Sequence, residues 1–193
     1  QFDRQPDGRL APLARPCIDT GMGLERLARV VQGVETDYET DLFLPIMTAI
    51  KQAATAKSAS RTGENVLFER RAIADHMRAI VFLLTEGIVP SNESRGYVLR
   101  MLIRRTCLKI EKSVGIGSLS DDIAPCVLKL AAAVEHSMEG SPYAGELAAK
   151  GTSIAKALRQ EVEQFQQTLE AAQERLTQVI AQLRSAHKTV IPG

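Results

Sequence analysis

Aromatic side chains are scarce in this chain: 4% of its 193 residues, with no tryptophan. Any core must therefore be filled by Leu, Ile, Val and Ala, which dominate an apolar fraction of 45%. At this length that suffices for one ordinary domain, or one domain plus an extension. Cysteine is equally sparse. Cys17, Cys107 and Cys126 are odd in number and far apart, which excludes a disulfide framework and lacks metal-ligand spacing. They read as reduced intracellular thiols that serve as packing residues. Net charge is almost absent at +1, so any surface for a polyanion must be local. No long uncharged apolar run and no leader peptide appears, and the expectation is a soluble, cytoplasmic protein that does not meet a membrane. A start at Gln1 and a finish at Ile191-Pro192-Gly193 read as the cut ends of a longer protein.

What is abundant is Ala, Leu, Gln, Glu and Arg, the residues helices favour, so the fold class expected is mainly α. Residues 1–15 are polar and turn-rich around Pro6-Asp7-Gly8, readable as a hairpin tail or a loop. A short strand at residues 16–19 would enter a Gly-spaced turn. A helix over 22–32 then follows, capped by Thr20, ended by Gly33, and burying Leu24, Leu27, Ala28 and Val31. A strand, a glycine turn and a helix can present backbone N–H groups to an anion. On residue types alone Gly21-x-Gly23 is more often a plain turn than a ligand loop, and Arg26 reads as a helix-surface ion pair.

An acidic connector over 34–41 leads to a helix over 42–56, with Thr40 as its cap, Pro45 in its first turn, and Leu42, Ile46, Ala49 and Ala53 inward. Residues 57–65 are a flexible linker. The most informative stretch is 71–105, two apolar helical runs joined by the loop Gly87-Ile88-Val89-Pro90-Ser91-Asn92-Glu93-Ser94. The first run places Ile73, Met77, Ile80 and Leu84 at helical spacing, thickened by Ala74, Val81 and Phe82. In the second, Val98, Leu99, Leu102, Ile103, Leu108 and Ile110 form a broad apolar face. Spacing puts Arg100, Arg104, Arg105 and Lys109 on one side, within reach of a run of phosphates. The alternative is a hairpin with solvated arginines. Asp75 and His76 do not face one another on a helix. Asp75 is expected to pair with Arg71 or Arg78, and His76 to be a hydrogen-bonded core residue. Ser91 and Asn92 either brace the loop or read a ligand, and an asparagine amide can both donate and accept at a base edge.

Farther on, Ser120-Asp121-Asp122 opens a helix reaching about residue 138, with His136 exposed, and Gly140-Ser141-Pro142 breaks it. Ile154, Leu158, Val162, Phe165, Leu169, Ala172, Leu176, Val179 and Leu183 then recur at steps of three or four, predicting one helix over 146–185. Packing along the rest of the domain is favoured, and a coiled-coil seam giving weak self-association is the alternative.

Two stretches carry a resemblance. Arg71-x-Ile73-Ala74-Asp75-His76-x-Arg78-Ala79, Pro90-Ser91-Asn92-Glu93-x-Arg95-Gly96-Tyr97-Val98-Leu99-Arg100 and Ile103-Arg104-Arg105 closely resemble the tRNA-recognition region of alanyl-tRNA synthetases. Asp19-Thr20-Gly21-Met22-Gly23-Leu24-Glu25-Arg26 resembles the third signature motif of the same class II family, and Tyr38 to Phe43 also match. The resemblance is clear over 17–105 and fades toward the C-terminus. It implies a β-turn-α remnant of the catalytic domain over 1–33 and an all-α tRNA-recognition domain over 34–193. It also implies an ATP-binding role for Arg26 and Gly23, and contact with alanine by Asp19 and Gly21. Asn92 would read the G·U wobble pair of the tRNA acceptor stem, with Ser91, Arg95, Arg100, Arg104 and Arg105 alongside it on the tRNA. The parent would use ATP and Mg2+ to join alanine to its tRNA, whereas the fragment alone would need no cofactor, hold no metal and form no adenylate. A stand-alone helical RNA-binding or protein-interaction module is the competing reading. The sequence departs from the pattern at Thr85-Glu86, where Ala-Asp is commoner. It departs again at Ser94, where Gly or Asn is common, and at Met101, where a second arginine usually follows Arg100.

Overall fold

The computed structural model describes residues 2–15, 17, 20–54, 63–115 and 123–185. The N-terminal segment is a hairpin. Strands β1 (Phe2–Arg4) and β2 (Leu10–Pro12) pair antiparallel, with Phe2 opposite Pro12 and Arg4 opposite Leu10. Gly8, at φ 85°, makes the reversal, its N–H bonding to the Gln5 carbonyl at 2.9 Å. The short strand expected over 16–19 lies outside the described residues apart from Cys17, which is exposed and has no regular structure.

Helix α1 (Leu24–Gln32) ends as its sequence predicts, at Gly33 in the left-handed region with φ 66°. It starts from Gly23 without a side-chain cap, so Thr20 does not fill that role. Its apolar face is not buried: Leu24, Leu27, Val30 and Val31 are all exposed, and Ala28 is half-buried. Polar links hold α1 to the helical body. Glu25 Oε1 pairs with Arg78 Nη2 at 3.2 Å, and Gln32 and Asp41 exchange bonds of 2.6 and 3.1 Å.

A 3-10 turn (Asp37–Glu39) precedes α2 (Leu44–Ala53), with Pro45 in the first turn as expected. Thr40 is fully buried, but its hydroxyl donates to the Asp37 carbonyl at 2.6 Å, and α2 starts after Phe43 without a side-chain cap. Helix α3 (Glu64–Thr85) begins inside the stretch read as a linker; of that stretch, residues 57–62 lie outside the described residues. Helix α4 (Ser94–Val114) ends at Gly115 with φ 68°. Then come α5 (Ala124–Ser137) and α6 (Ala144–Ser185). The Ser120-Asp121-Asp122 start expected for α5 lies outside the described residues.

The core forms where α2 to α6 present their apolar stripes. Ile46 and Ile50 of α2, Ile73, Met77 and Ile80 of α3, and Leu99, Ile103 and Ile110 of α4 are fully buried or nearly so. Val127, Leu130 and Val134 of α5 join Leu147, Ile154, Leu158 and Val162 of α6 in the same cluster. Truncating any of these large side chains to alanine costs about 2–5 kcal/mol. Val98 and Leu108, expected on the apolar face of α4, point to solvent instead. Helix α6 meets its expectation only in its first half. Full burial ends at Phe165, Leu169 is partly buried, and Leu176 and Ile180 stand exposed, because 42 residues at ~1.5 Å per residue outrun the body they pack on. Among the described residues no helix is long and apolar enough to cross a membrane.

Candidate nucleic-acid interface

The α3–α4 loop owes its shape to backbone bonding at both ends. Past Thr85 the chain turns at Gly87, φ 79°, whose N–H bonds the Leu84 carbonyl at 3.0 Å while the Ile88 N–H bonds Leu83 at 3.0 Å. Carbonyls orphaned by the end of the helix are thereby satisfied. Lys150 of α6 donates to the Thr85 carbonyl at 2.6 Å and fixes this corner from outside. The loop then folds back over the first turn of α4, where the Ser91 N–H bonds the Gly96 carbonyl at 3.1 Å. A Cβ at Gly96 would stand 2.2 Å from Ser91 Oγ and 2.6 Å from the Val89 oxygen, so only glycine fits. Ser91 Oγ donates to the Glu93 carbonyl at 2.9 Å and accepts from the Glu93 N–H at 3.3 Å. Its hydroxyl is thus engaged within the loop it braces. Ser94 sits at φ 51°, the left-handed region that glycine and asparagine tolerate best, which gives a physical reason for the residue types common there in the family.

Asn92 is exposed at the tip and is not loose. Arg100 Nη1 donates to Asn92 Oδ1, while Arg100 Nε donates to Glu161 Oε2 at 3.2 Å. Arg104 Nε fills the other oxygen of Glu161 at 2.8 Å and stacks over the Phe165 ring, 5.3 Å from its centroid. Glu161 is 3% exposed. Asn92 Oδ1 takes the Arg100 bond, and its amide N–H2, a donor group, makes no hydrogen bond among the described residues.

The four cations expected on one side of α4 are distributed over three surroundings. Arg100 and Arg104 turn to Glu161 of α6, and Lys109 pairs with Glu69 of α3. Arg105 is exposed and, like the exposed Arg95 at the loop end, makes no ion pair among the described residues. Spacing on one helix could not reveal this, because the acids that divide the row come from other helices. Glu161 was the residue missed. Its signal was position: three after Leu158 and four before Phe165, it falls on the buried stripe, where a carboxylate requires cations.

The expected partners of Asp75 change too. Asp75 accepts a hydrogen bond from the Tyr38 hydroxyl at 2.6 Å, Arg71 lies over the Tyr38 ring, and Arg78 goes to Glu25. Burial, then the bond to Asp75, pushes the Tyr38 hydroxyl up to about 12. His76 is half-buried, with Nδ1 3.3 Å from Thr106 Oγ1, in keeping with a hydrogen-bonded core histidine. Burial, then the Lys109 charge, lowers its pKa from the ordinary value. His136 is exposed and pairs with Glu139 at 2.9 Å. Cys107 and Cys126 are buried packing residues, whereas Cys17 is exposed and is not.

Upstream, Arg26 is exposed on α1 and makes no ion pair among the described residues, so the surface-pair alternative is absent there. Gly21 is exposed with open space around it, and Gly23 supplies the extended residue that starts α1. Asp19 lies outside the described residues. Among those described, no group of three or more His, Cys, Asp or Glu side chains could hold a metal ion.

The model of the family described as tRNA synthetases class II (A) matches residues 1–193. The chain is 40% identical over 193 residues to the alanine–tRNA ligase of Geobacillus thermodenitrificans, covering all of this chain and 21% of that protein. It is 43% identical over 195 residues to that of Xanthomonas oryzae pv. oryzae and 44% over 195 residues to that of Stenotrophomonas maltophilia, covering all of this chain and 20% of each. The chain thus spans about a fifth of the length of the curated relatives it matches. With a match running from end to end, the chain belongs to the class II (A) tRNA synthetases, and its likeness within them is to alanine–tRNA ligases.

Proposed function

We propose that this chain is the part of an alanine–tRNA ligase that recognises the tRNA acceptor stem, and that Asn92 reads the G·U wobble pair. The observation that carries the reading is the loop tip itself: an exposed asparagine whose oxygen is held by Arg100, with its amide donor free of partners among the described residues. In an A-form stem the open minor groove shows a pyrimidine O2 in both pairs, and the wobble shift moves uracil's O2 from where cytosine holds it, so a donor held at a fixed position separates the two by geometry. Arg95 and Arg105, exposed and without ion pairs among the described residues, supply phosphate contacts. Arg100 and Arg104 are available to phosphates only when they leave Glu161. Ser91 acts through the loop conformation it braces.

On this reading residues 1–33 belong to the catalytic domain and residues 34–193 to the tRNA-recognition domain. Arg26 would hold ATP phosphates, with Gly23 at the start of its helix. A guanidinium that is exposed, without an ion pair and always charged fits a polyphosphate. Asp19 would hold the ammonium of alanine, with Gly21 lining that pocket. Mg2+ would travel on the phosphates. The setting is the cytoplasm, and the exposed apolar face of α1 is where the rest of the catalytic domain would pack. One arginine and one carboxylate do not assemble an adenylate-forming site, so the 193-residue chain alone should show no ATP–pyrophosphate exchange. Detecting exchange would overturn that assignment.

The direct test is binding of the chain to acceptor-stem hairpins carrying G·U or G·C, across several salt concentrations. Preference for G·U, abolished by Asn92→Ala, with affinity falling as salt rises, is expected. Equal binding of both hairpins would remove Asn92 from its role. A second reading draws on the exposed Leu176 and Ile180 of α6: weak self-association through its distal half. Concentration-dependent association lost on truncation after Leu169 would support it.

A further inference from the structure

We infer that Glu161 is a positioning residue for base-pair selection, resting on the reading of Asn92 above: from α6 it aims Arg100 at Asn92 and withholds Arg100 and Arg104 from phosphate. A guanidinium is a rigid plane whose donors cannot be redirected one at a time. Fixing Arg100 Nε on Glu161 Oε2 therefore fixes the direction of Nη1, which holds Asn92 Oδ1. Arg104, one turn along α4, occupies the second oxygen of Glu161 and rests on Phe165, so the carboxylate cannot swivel. The reading loop is thus set from a helix 69 positions away in sequence, counting from Asn92 to Glu161.

Anchoring α6 to α4 does not by itself require a carboxylate. Leu158, Val162 and Phe165, on the same stripe, pack that interface, and an apolar residue would do so without desolvating a charge. What the carboxylate adds is direction for the two guanidiniums. It also holds both guanidiniums and offsets one of their two charges beside the candidate RNA surface, where Arg95 and Arg105 stand exposed. Non-specific attraction to phosphate is held down, while the asparagine that distinguishes base pairs is held still.

The test uses the full-length ligase that carries this chain, with acceptor-stem hairpins bearing G·U or G·C as substrates. Glu161→Gln keeps the size of the side chain but removes its charge and one of its two acceptor oxygens, so at least one arginine is released. The kcat/KM ratio for G·U over G·C should fall at least tenfold, mainly through a gain on the G·C hairpin. The slope of log binding constant against log salt should steepen by up to about two, near 0.9 for each arginine released. A role confined to stability would lower both substrates in proportion and leave the salt slope alone, and that result overturns the inference. Arg100→Lys is the second arm: it keeps the charge but cannot bridge Asn92 and Glu161 at once. Loss of the G·U preference supports the relay, and a retained preference overturns it. Asn92→Ala in parallel separates the two levels of the argument. If it leaves the preference intact, the reading of Asn92 is wrong; if it abolishes the preference while E161Q and R100K do not, only the relay is wrong.

Discussion

Replacing Gly96 by alanine tests whether the reading loop is held by its close approach to α4. The added Cβ would fall short of the ~3.0 Å contact limit by roughly 0.8 Å against Ser91 Oγ and roughly 0.4 Å against the Val89 oxygen. Ser91 also stands on its own hydrogen bonds to Glu93, so relief by rotating its hydroxyl away breaks the turn, and Val89 contributes a backbone atom. Overpacking of this kind costs about 1–3 kcal/mol, and a lost turn bond adds about 0.5–1.5 kcal/mol. For a chain of this length that corresponds to a fall in Tm on the order of 10 °C. Asn92, next in sequence to Ser91, must move with it, and a displacement near 1 Å costs roughly a hundredfold in a positioned interaction. Thermal unfolding and hairpin binding read the two effects separately. Ser91→Gly removes two of the three clashing atoms, so the Ser91→Gly/Gly96→Ala pair should lose less stability than the two single costs combined. A G96A variant with unchanged Tm and unchanged G·U preference would refute the argument.

Ser94→Gly should raise stability by about 0.5–1 kcal/mol, since relief of the left-handed strain, about 1–2 kcal/mol, exceeds glycine's chain entropy of about 0.5–1 kcal/mol; a lower denaturation midpoint would count against it. His76 has its folded pKa depressed, so the unfolded chain binds the proton more readily. Its contribution is present above the ordinary value of 6.5 and is lost as pH falls below it. Unfolding measured above and below that pH should show acid destabilisation that His76→Gln flattens, and a slope of the opposite sign would contradict the assignment. Burial pushes the Cys107 and Cys126 thiols up to about 12 and about 11, whereas Cys17 is exposed. A thiol reagent at neutral pH should therefore label one cysteine in the native chain and all three on unfolding.

The helical body was legible because Ile73, Met77 and Ile80, or Leu158, Val162 and Phe165, write their period into the chain and bury as the period predicts. Gly33 and Gly87 ended their helices for a local reason, positive φ, that residue type alone conveys. What stayed hidden is whatever depends on two distant segments meeting. The basic row of α4 read as one surface until Glu161 and Glu69 divided it. Asp75 had two arginines at helical spacing and took Tyr38, 37 residues away. The apolar stripe of α1 was read as buried because amphipathicity predicts a partner without saying whether the partner lies within these residues. Ser94 was visible as a departure from the family pattern, and its positive φ supplied the reason.

The central claim is that Asn92 selects by offering donors, and Asn92→Asp tests it most directly. The substitution preserves the side-chain shape and keeps an oxygen for Arg100, so the loop stays in place while the amide becomes an acceptor. Measured against acceptor-stem hairpins, the variant should lose the G·U preference by roughly one to two powers of ten, the worth of about 1–3 kcal/mol at a base edge. An N92D variant that still prefers G·U as the parent does would contradict the account, because the amide donor assigned to the distinction would be gone.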